Sequence, residues 1–452
     1  GGWLATQGFY DFAGSTVVVA LLSLGLAGIP LVWTLGYAAA IAVLVAMVTA
    51  ITLLPAMLAG VGHWIERLRV PLPHDTSADH KTHGWQRWAE GVARHPVIAV
   101  VGAVLLLAVI AWPVFDMKLG QEDDSALPTS TETRQAYDLT TEGFGVGDNG
   151  PFLVAVDVGN PKDVDSLNKA VANTKGIAEV TPPAFDEKQT AAIFNAIPTT
   201  APSDWATQDT LDRLRDDTIP NTLKGTDSTA DVGGTTAGYV DLADEISEKL
   251  PKVIGLVVLF SFLVLVLAFR SVFVPLQAAV MNLLSIAAAY GLVTAVFQKG
   301  WGASLIGLDG PVPVVSFLPL VMFAILFGLS MDYEVFLLTQ IKEAYTRSKD
   351  SDSAVIAGLA NSGRVITSAA LIMVAVFSSF VLNGDPVVKQ FGVGLAFAVA
   401  IDATVVRCLL VPAVMVLMKR LNWWFPHWLD RAVPKVDIEG NEYFDKREAD
   451  AR

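Results

Sequence analysis

The chain has 452 residues, of which 53% are hydrophobic and 17% charged, with a mean hydropathy of +0.49. This balance excludes a soluble enzyme and reads as a polytopic membrane protein. The formal charge of −14 is local, because residues 116–250 hold 25 acidic against 10 basic side chains, which suits a solvated domain and excludes nucleic acid as a partner.

About 20 apolar residues cross a hydrocarbon core. By that measure eight transmembrane helices are predicted, at 12–29, 33–59, 96–115, 252–269, 273–297, 314–340, 364–383 and 389–418. The domain plan is then two helices in 1–60, a cytoplasmic loop at 61–95, one helix at 96–115, an extracytoplasmic α/β domain at 116–250, a five-helix transmembrane bundle at 251–420 and a cytoplasmic tail at 421–452. Orientation follows from Arg67, Arg69, Lys81, Arg87 and Arg94 in the first long loop, Arg270, Lys342, Arg347 and Lys349 in later ones, and Lys419 and Arg420 after the last span. Eight spans put all of them on one side, the cytoplasmic one. Position 1 is Gly and no cleavable leader is recognisable, so the chain is expected to begin partway through something longer.

Within 116–250, strands are predicted at 152–158, 191–197 and 229–232, and helices at 162–175, 207–217 and 237–250. That order suggests a small split βαβ sandwich. The last helix is expected to run into the membrane through Pro251. An internal repeat also shows: 14–58 parallels 370–415 at an offset of about 356, with Pro30 on Pro386 and Gly36 on Gly392. A helical hairpin occurring twice is a building principle of transporters.

Inside the sixth span, FGLSMDYEVFL (327–337) places Asp332, Tyr333 and Glu334 in an apolar run. A mid-membrane charge costs roughly 2.5–3.5 kcal/mol on insertion scales, so such residues face a bundle interior and serve function there. The structural alternative is a hydrogen-bonded carboxyl. Gly328, Asp332 and Phe336 share one helical face, where Gly328 lets another helix approach. Desolvation brings proton exchange by a carboxyl there within reach of physiological pH. Tyr333 is placed to donate to it. Glu334 points about 200° away, serving either a cytoplasmic exit or a solvated face. The eighth span holds Asp402, a second candidate for proton traffic, and Arg407, a counter-charge or a structural tie. Five residues separate these two, about 140° round an α-helix, so a direct pair is not expected. Thr367 and Ser368 offer hydroxyls that either bond their own helix or serve the relay.

Other signals carry little. Gly145-x-Gly147-x-x-Gly150 precedes a strand instead of following it, so it is a loop. His80 and His83 lack further ligands at metal spacing. Cys408 is the one cysteine, which leaves neither a disulfide framework nor a thiolate metal site. Neither a nucleophile–His pairing nor a P-loop appears, so an enzyme is not expected, no cofactor is called for, and transport would draw on an ion gradient. The run NWWFPHW (422–428) reads as an interfacial anchor.

With SGRVITSAALIMVAVF (362–377) and IDATVVRCLLVPAVM (401–415), the Asp-Tyr segment resembles the MmpL family of the resistance–nodulation–division superfamily. Residues 96–420 resemble that family's second repeat, and 12–60 the last two spans of the first. The resemblance implies proton-driven export of lipids or other lipophilic envelope molecules across the inner (plasma) membrane, with Asp332 and Tyr333 as one relay pair. A second Asp-Tyr pair belongs to a first-half span with no counterpart in this sequence, so a separate N-terminal half or other protomers are expected as partners. The alternatives are a non-transporting scaffold or degenerate fragment, and a proton-driven motor that helps move polypeptides outward.

Overall fold

A computed structural model describes residues 17–18, 21–61 and 80–426. Among the described residues, seven helices are long and apolar enough to cross a membrane. The predicted span at 12–29 lies partly outside the described residues; of the rest, 21–23 are helical and a 3-10 turn follows at Leu24–Ala27. The long helix α1, Pro30–Val61, then begins with proline at its first position, where the missing N–H is no loss.

Helix α2, His80–Arg94, lies in the stretch expected as a loop. Trp85, Ala89 and Val92 recur on one face and pack on the membrane bundle, while the other face is polar. Helix α3, Pro96–Ala111, is extended by a tight turn, Trp112–Asp116, and leads to the short strand β1, Leu119–Gly120. The α/β domain follows with α4, Glu132–Gly143, and strand β2, Phe152–Asp157. Next come α5, Pro161–Ala172, and strands β3, Ile177–Val180, β4, Ala184–Phe185, and β5, Ala191–Pro198. Helices α6, Trp205–Arg213, and α7, Ile219–Leu223, precede strand β6, Thr229–Gly233.

The sheet order is β3-β5-β2-β6, every pair antiparallel, with β4 also on β5. Strand β5 therefore sits between β2 and β3, which α5 joins, and β2 sits between β5 and β6. Two interleaved split βαβ units result. Alternation fixes the register: Phe152, Val154 and Val156 point inward opposite Ala196, Phe194 and Ala192. Val164, Leu167 and Val171 of α5 close over them.

From the domain, α8, Thr235–Phe269, runs unbroken into the membrane through Pro251, as expected. At 35 residues it is about 52 Å long. Helix α9, Phe273–Val293, is followed by strand β7, Val314–Val315, then α10, Leu318–Ser348, and α11, Ser351–Ser379. The chain returns through α12, Pro386–Ile401, a wide turn at Asp402–Leu410, and α13, Val411–Met418. Three glycines set the closest approaches in the bundle. An added Cβ would sit 2.2 Å from the Ile110 carbonyl oxygen at Gly291, 2.4 Å from Ile341 at Gly358 and 2.5 Å from Met322 at Gly394.

The repeat is present in three dimensions. A Cβ on Gly36 would meet the Leu21 carbonyl oxygen at 2.7 Å and Leu24 Cβ at 3.0 Å. A Cβ on Gly392 would meet the Phe377 carbonyl oxygen at 3.0 Å and Phe380 Cβ at 2.9 Å. Both partners are offset by the same 356 positions, so the two hairpins cross alike.

Besides the continuous α8, a strand pairing ties the domain to the bundle. Strand β1 pairs in parallel with β7, and Ser316 N–H donates to the Gly120 carbonyl at 2.9 Å. Gln390, at the start of the last span, grips β7 with both ends of its amide: Val315 N–H donates to it at 3.1 Å, and its own Nε2 donates to the Pro313 carbonyl at 2.9 Å. Beside this junction, a cavity of about 190 Å³ is lined by Glu122, Asp123, Trp205 and Tyr239.

Glu122 Oε2 is buried there without a hydrogen-bond partner among the described residues. Burial, and then the nearby Asp385 carboxylate, push Glu122 up to about 8. An ordinary glutamate titrates near 4.3. Between those values the folded chain keeps a proton that the unfolded chain has released, so stability falls as pH rises through that window. Thermal unfolding should therefore show a midpoint that drops between pH 5 and pH 9, and Glu122→Gln should flatten the drop. An equal slope in both proteins would contradict this assignment.

Candidate functional site

The site begins with a missing donor. Pro412 has no N–H, so the Cys408 carbonyl four residues earlier lacks its α-helical partner. The chain winds there with i→i+5 hydrogen bonds, Val411 N–H reaching the Val406 carbonyl, over Asp402–Leu410. Turns of this kind are rare and concentrate at functional sites. The indole N–H of Trp88, on α2, donates to the Cys408 carbonyl at 2.7 Å.

The wider coil brings residues five apart onto one face. Arg407 Nε donates to Asp402 Oδ2 at 2.8 Å, with the two side chains only 2% and 11% exposed. The expectation that this pair would not meet was therefore wrong, because it assumed the angular step of an α-helix.

Arg407 also reaches across to α10. Its Nη2 donates to the Ser330 carbonyl and, at 2.7 Å, to the Ser330 hydroxyl oxygen. That hydroxyl has one proton for two acceptors, Asp402 Oδ2 at 3.0 Å and Asn282 Oδ1 on α9. Asn282 Nδ2 in turn donates to Glu334 Oε2 at 3.4 Å. A continuous polar chain thus joins α9, α10 and the Asp402–Leu410 turn. The guanidinium lies 5.7 Å from the centroid of the Tyr333 ring, whose hydroxyl donates to Met373 Sδ at 3.3 Å.

The predicted residues divide between two faces of α10. Glu334 is buried against Asn282, so it belongs to the interior cluster and not to a solvated face. Asp332 and Phe336 are half-buried on the opposite face. Gly328, on that face, allows the close approach expected of it: an added Cβ would lie 3.0 Å from the Val17 methyls. The Thr367 hydroxyl bonds its own backbone at Gly363, which is the structural reading of that residue. Sequence reasoning missed Asn282, Ser330 and Trp88. An asparagine within the apolar run of the fifth predicted span was the one available signal.

Lesser expectations resolve simply. Gly147 and Gly150 are packing glycines, since a Cβ on Gly147 would strike the Pro198 carbonyl. Trp423 stacks on Tyr345 at 5.2 Å and Trp424 tilts over Phe273 at 5.8 Å, and 427–428 lie outside the described residues.

A polytopic membrane protein with a split βαβ domain and an ion pair inside its helix bundle is the class that this fold and site define. The chain belongs to the MMPL family, which it matches over residues 11–99 and 154–438, within the resistance–nodulation–division superfamily. It is 35% identical, over 96% of its length, to the mycolic acid-containing lipids exporter MmpL11 of Mycolicibacterium smegmatis, covering 46% of that protein. It is 36% identical over 95% of its length to membrane protein YdfJ of Bacillus subtilis, covering 59%. Against the trehalose monomycolate exporter MmpL3 of Mycobacterium tuberculosis, identity is 28% over 94% of the chain and 49% of the relative. The chain spans about half the length of most of these relatives. It is a multi-pass protein of the cell membrane.

Trp88→Phe keeps an aromatic side chain, though a smaller one, and deletes the donor to the Cys408 carbonyl. Losing one such bond costs about 0.5–1.5 kcal/mol. Amide exchange over 406–413 should accelerate accordingly, while Trp85→Phe, whose ring packs on Gly363, leaves it unchanged. Unaltered exchange in Trp88→Phe would show that the indole does not hold the turn.

Proposed function

We propose that this chain supplies about half of a proton-coupled exporter of lipids or other lipophilic cell-envelope molecules. In this reading the α/β domain is extracytoplasmic, and Asp332, Tyr333, Glu334, Asp402 and Arg407 form the relay. The observation that carries it is the buried Asp402–Arg407 pair, bonded through Ser330 to the helix that bears Asp332 and Glu334. Replacing a buried pair by apolar residues is often neutral or stabilising, so stability alone is weak grounds for keeping one.

Protonating Asp402 cancels one charge of the pair and weakens the hold of Arg407 on α10. A charge crossing the membrane field is worth about 2.3 kcal/mol per 100 mV, enough to bias two packings of a helix bundle. Helix α8 is continuous from the bundle into the domain, and the β1–β7 junction joins the domain to α10. Rearrangement at the relay would therefore travel to the domain along two routes, the covalent one of α8 and the hydrogen-bonded one of the β1–β7 junction. The names of the relatives, lipid and trehalose monomycolate exporters, support the substrate class.

In the complete transporter, Asp332→Asn is expected to abolish gradient-driven export of radiolabelled lipid while the amount of protein in the membrane stays the same. The same loss should follow a protonophore in the wild type. Export by Asp332→Asn at the wild-type rate would overturn the reading.

A further inference from the structure

Between α9, α10 and α12 lies a cavity of about 20 Å³, lined by Asn282, Ser285, Ser330, Tyr333 and Asp402. Asp402 Oδ1 is buried and has no hydrogen-bond partner among the described residues, although Oδ2 of the same carboxylate has two. A buried carboxylate oxygen left unpaired costs more than an ordinary lost hydrogen bond. A site of 10–15 Å³ or more with two to four polar partners holds a water molecule. This one has the volume, and the unpaired oxygen and the Asn282, Ser285 and Ser330 groups on its walls supply the partners.

We propose that the cavity is a binding site for one water molecule, which bridges Asp402 Oδ1 to Ser285 and hands protons to that oxygen from the side of the α/β domain. Direction comes from the helices. Ser285, Leu326 and Ala398 each lie about one turn from Asn282, Ser330 and Asp402 toward the end that joins the domain, and all line the cavity. Glu334 lies a turn beyond Ser330 in the opposite direction. The charged groups close by are Arg407, on Oδ2, and Glu334, held through Asn282; α9 and α11 add to the lining the polar Asn282 and Ser285 and the apolar Ile286 and Ala370.

The guanidinium decides against a metal cation in the cavity. With Arg407 at 2.8 Å from the same carboxylate, the pair carries no net charge for a second cation to neutralise. A proton differs, because it forms a covalent O–H bond. Hydronium at the site gives its proton to Oδ1 and remains as water. The pair passes from net zero to net +1, and Ser330 can then turn its hydroxyl wholly to Asn282. Ser285 and Asn282 are positioning residues in this scheme.

The inference rests on the proton-relay reading, and its test separates the two. The 452-residue chain would be imaged in nanodiscs by high-resolution cryo-electron microscopy, as wild type and as Ser285→Val, which fills the cavity from α9. Proton uptake after a pH jump would be followed with an indicator dye, and the Asp402 carboxyl by infrared absorption. The expected result is density for one water within hydrogen-bond distance of Oδ1, its loss in Ser285→Val, and uptake at least ten-fold slower while Asp402 still titrates. Ala398→Val fills the cavity from α12 and should slow uptake likewise, which guards against a fold defect peculiar to Ser285→Val. No density beside Oδ1, or uptake by both variants at the wild-type rate with Asp402 titrating, would overturn the proposal. A wild-type Asp402 that never titrates would instead overturn the relay reading, and the proposal with it.

Discussion

An arginine and an aspartate taken out of water together are the constraint around which this bundle is arranged. Each ion alone carries a desolvation penalty of several kcal/mol, and removing either partner leaves the other uncompensated. The chain meets this demand by changing its winding. Pro412 withholds an N–H, the coil widens over Asp402–Leu410, and residues that an α-helix would turn apart are brought to 2.8 Å. Ser330 and Asn282 then extend the pair into neighbouring helices, so one local defect in hydrogen bonding organises contacts among three spans.

The same defect reaches the protein surface. The carbonyl freed by Pro412 accepts from Trp88, on an amphipathic helix 320 residues earlier in the chain. Cys408 sits one residue beyond Arg407, so this amphipathic helix is connected to the charge pair through a single turn. On the other side, the β1–β7 pairing and the two-ended grip of Gln390 join the α/β domain to the starts of α10 and α12. Both connections end on the helices that carry the buried charges.

Much of the fold was legible because it rests on apolar length and alternation. The seven described spans fall close to their predicted places. The split βαβ order followed from strands whose inward residues alternate, such as Phe152, Val154 and Val156. What escaped notice lacked such a signal. Helix α4 buries only Tyr137, and β3 only Ile177 among its four residues. The amphipathic α2 was overlooked because its polar face dominates the composition. The repeat was legible from Pro30 and Gly36, and the matching close approaches at Gly36 and Gly392 show why a residue without a side chain suits both positions.

The site was legible as a set of residue types and not as an arrangement. Asp332, Glu334, Asp402 and Arg407 stood out as charges in apolar runs, but their pairing depends on a departure from α-helical winding that spacing rules assume away. Whether the pair exchanges a proton inside the membrane field is the central question, and charge movement answers it most directly. On a solid-supported membrane bearing the reconstituted chain, a rapid step to acid pH should give a transient inward current of about one elementary charge or less per molecule. It should vanish in Asp402→Asn. A transient of unchanged size in that variant would contradict the account.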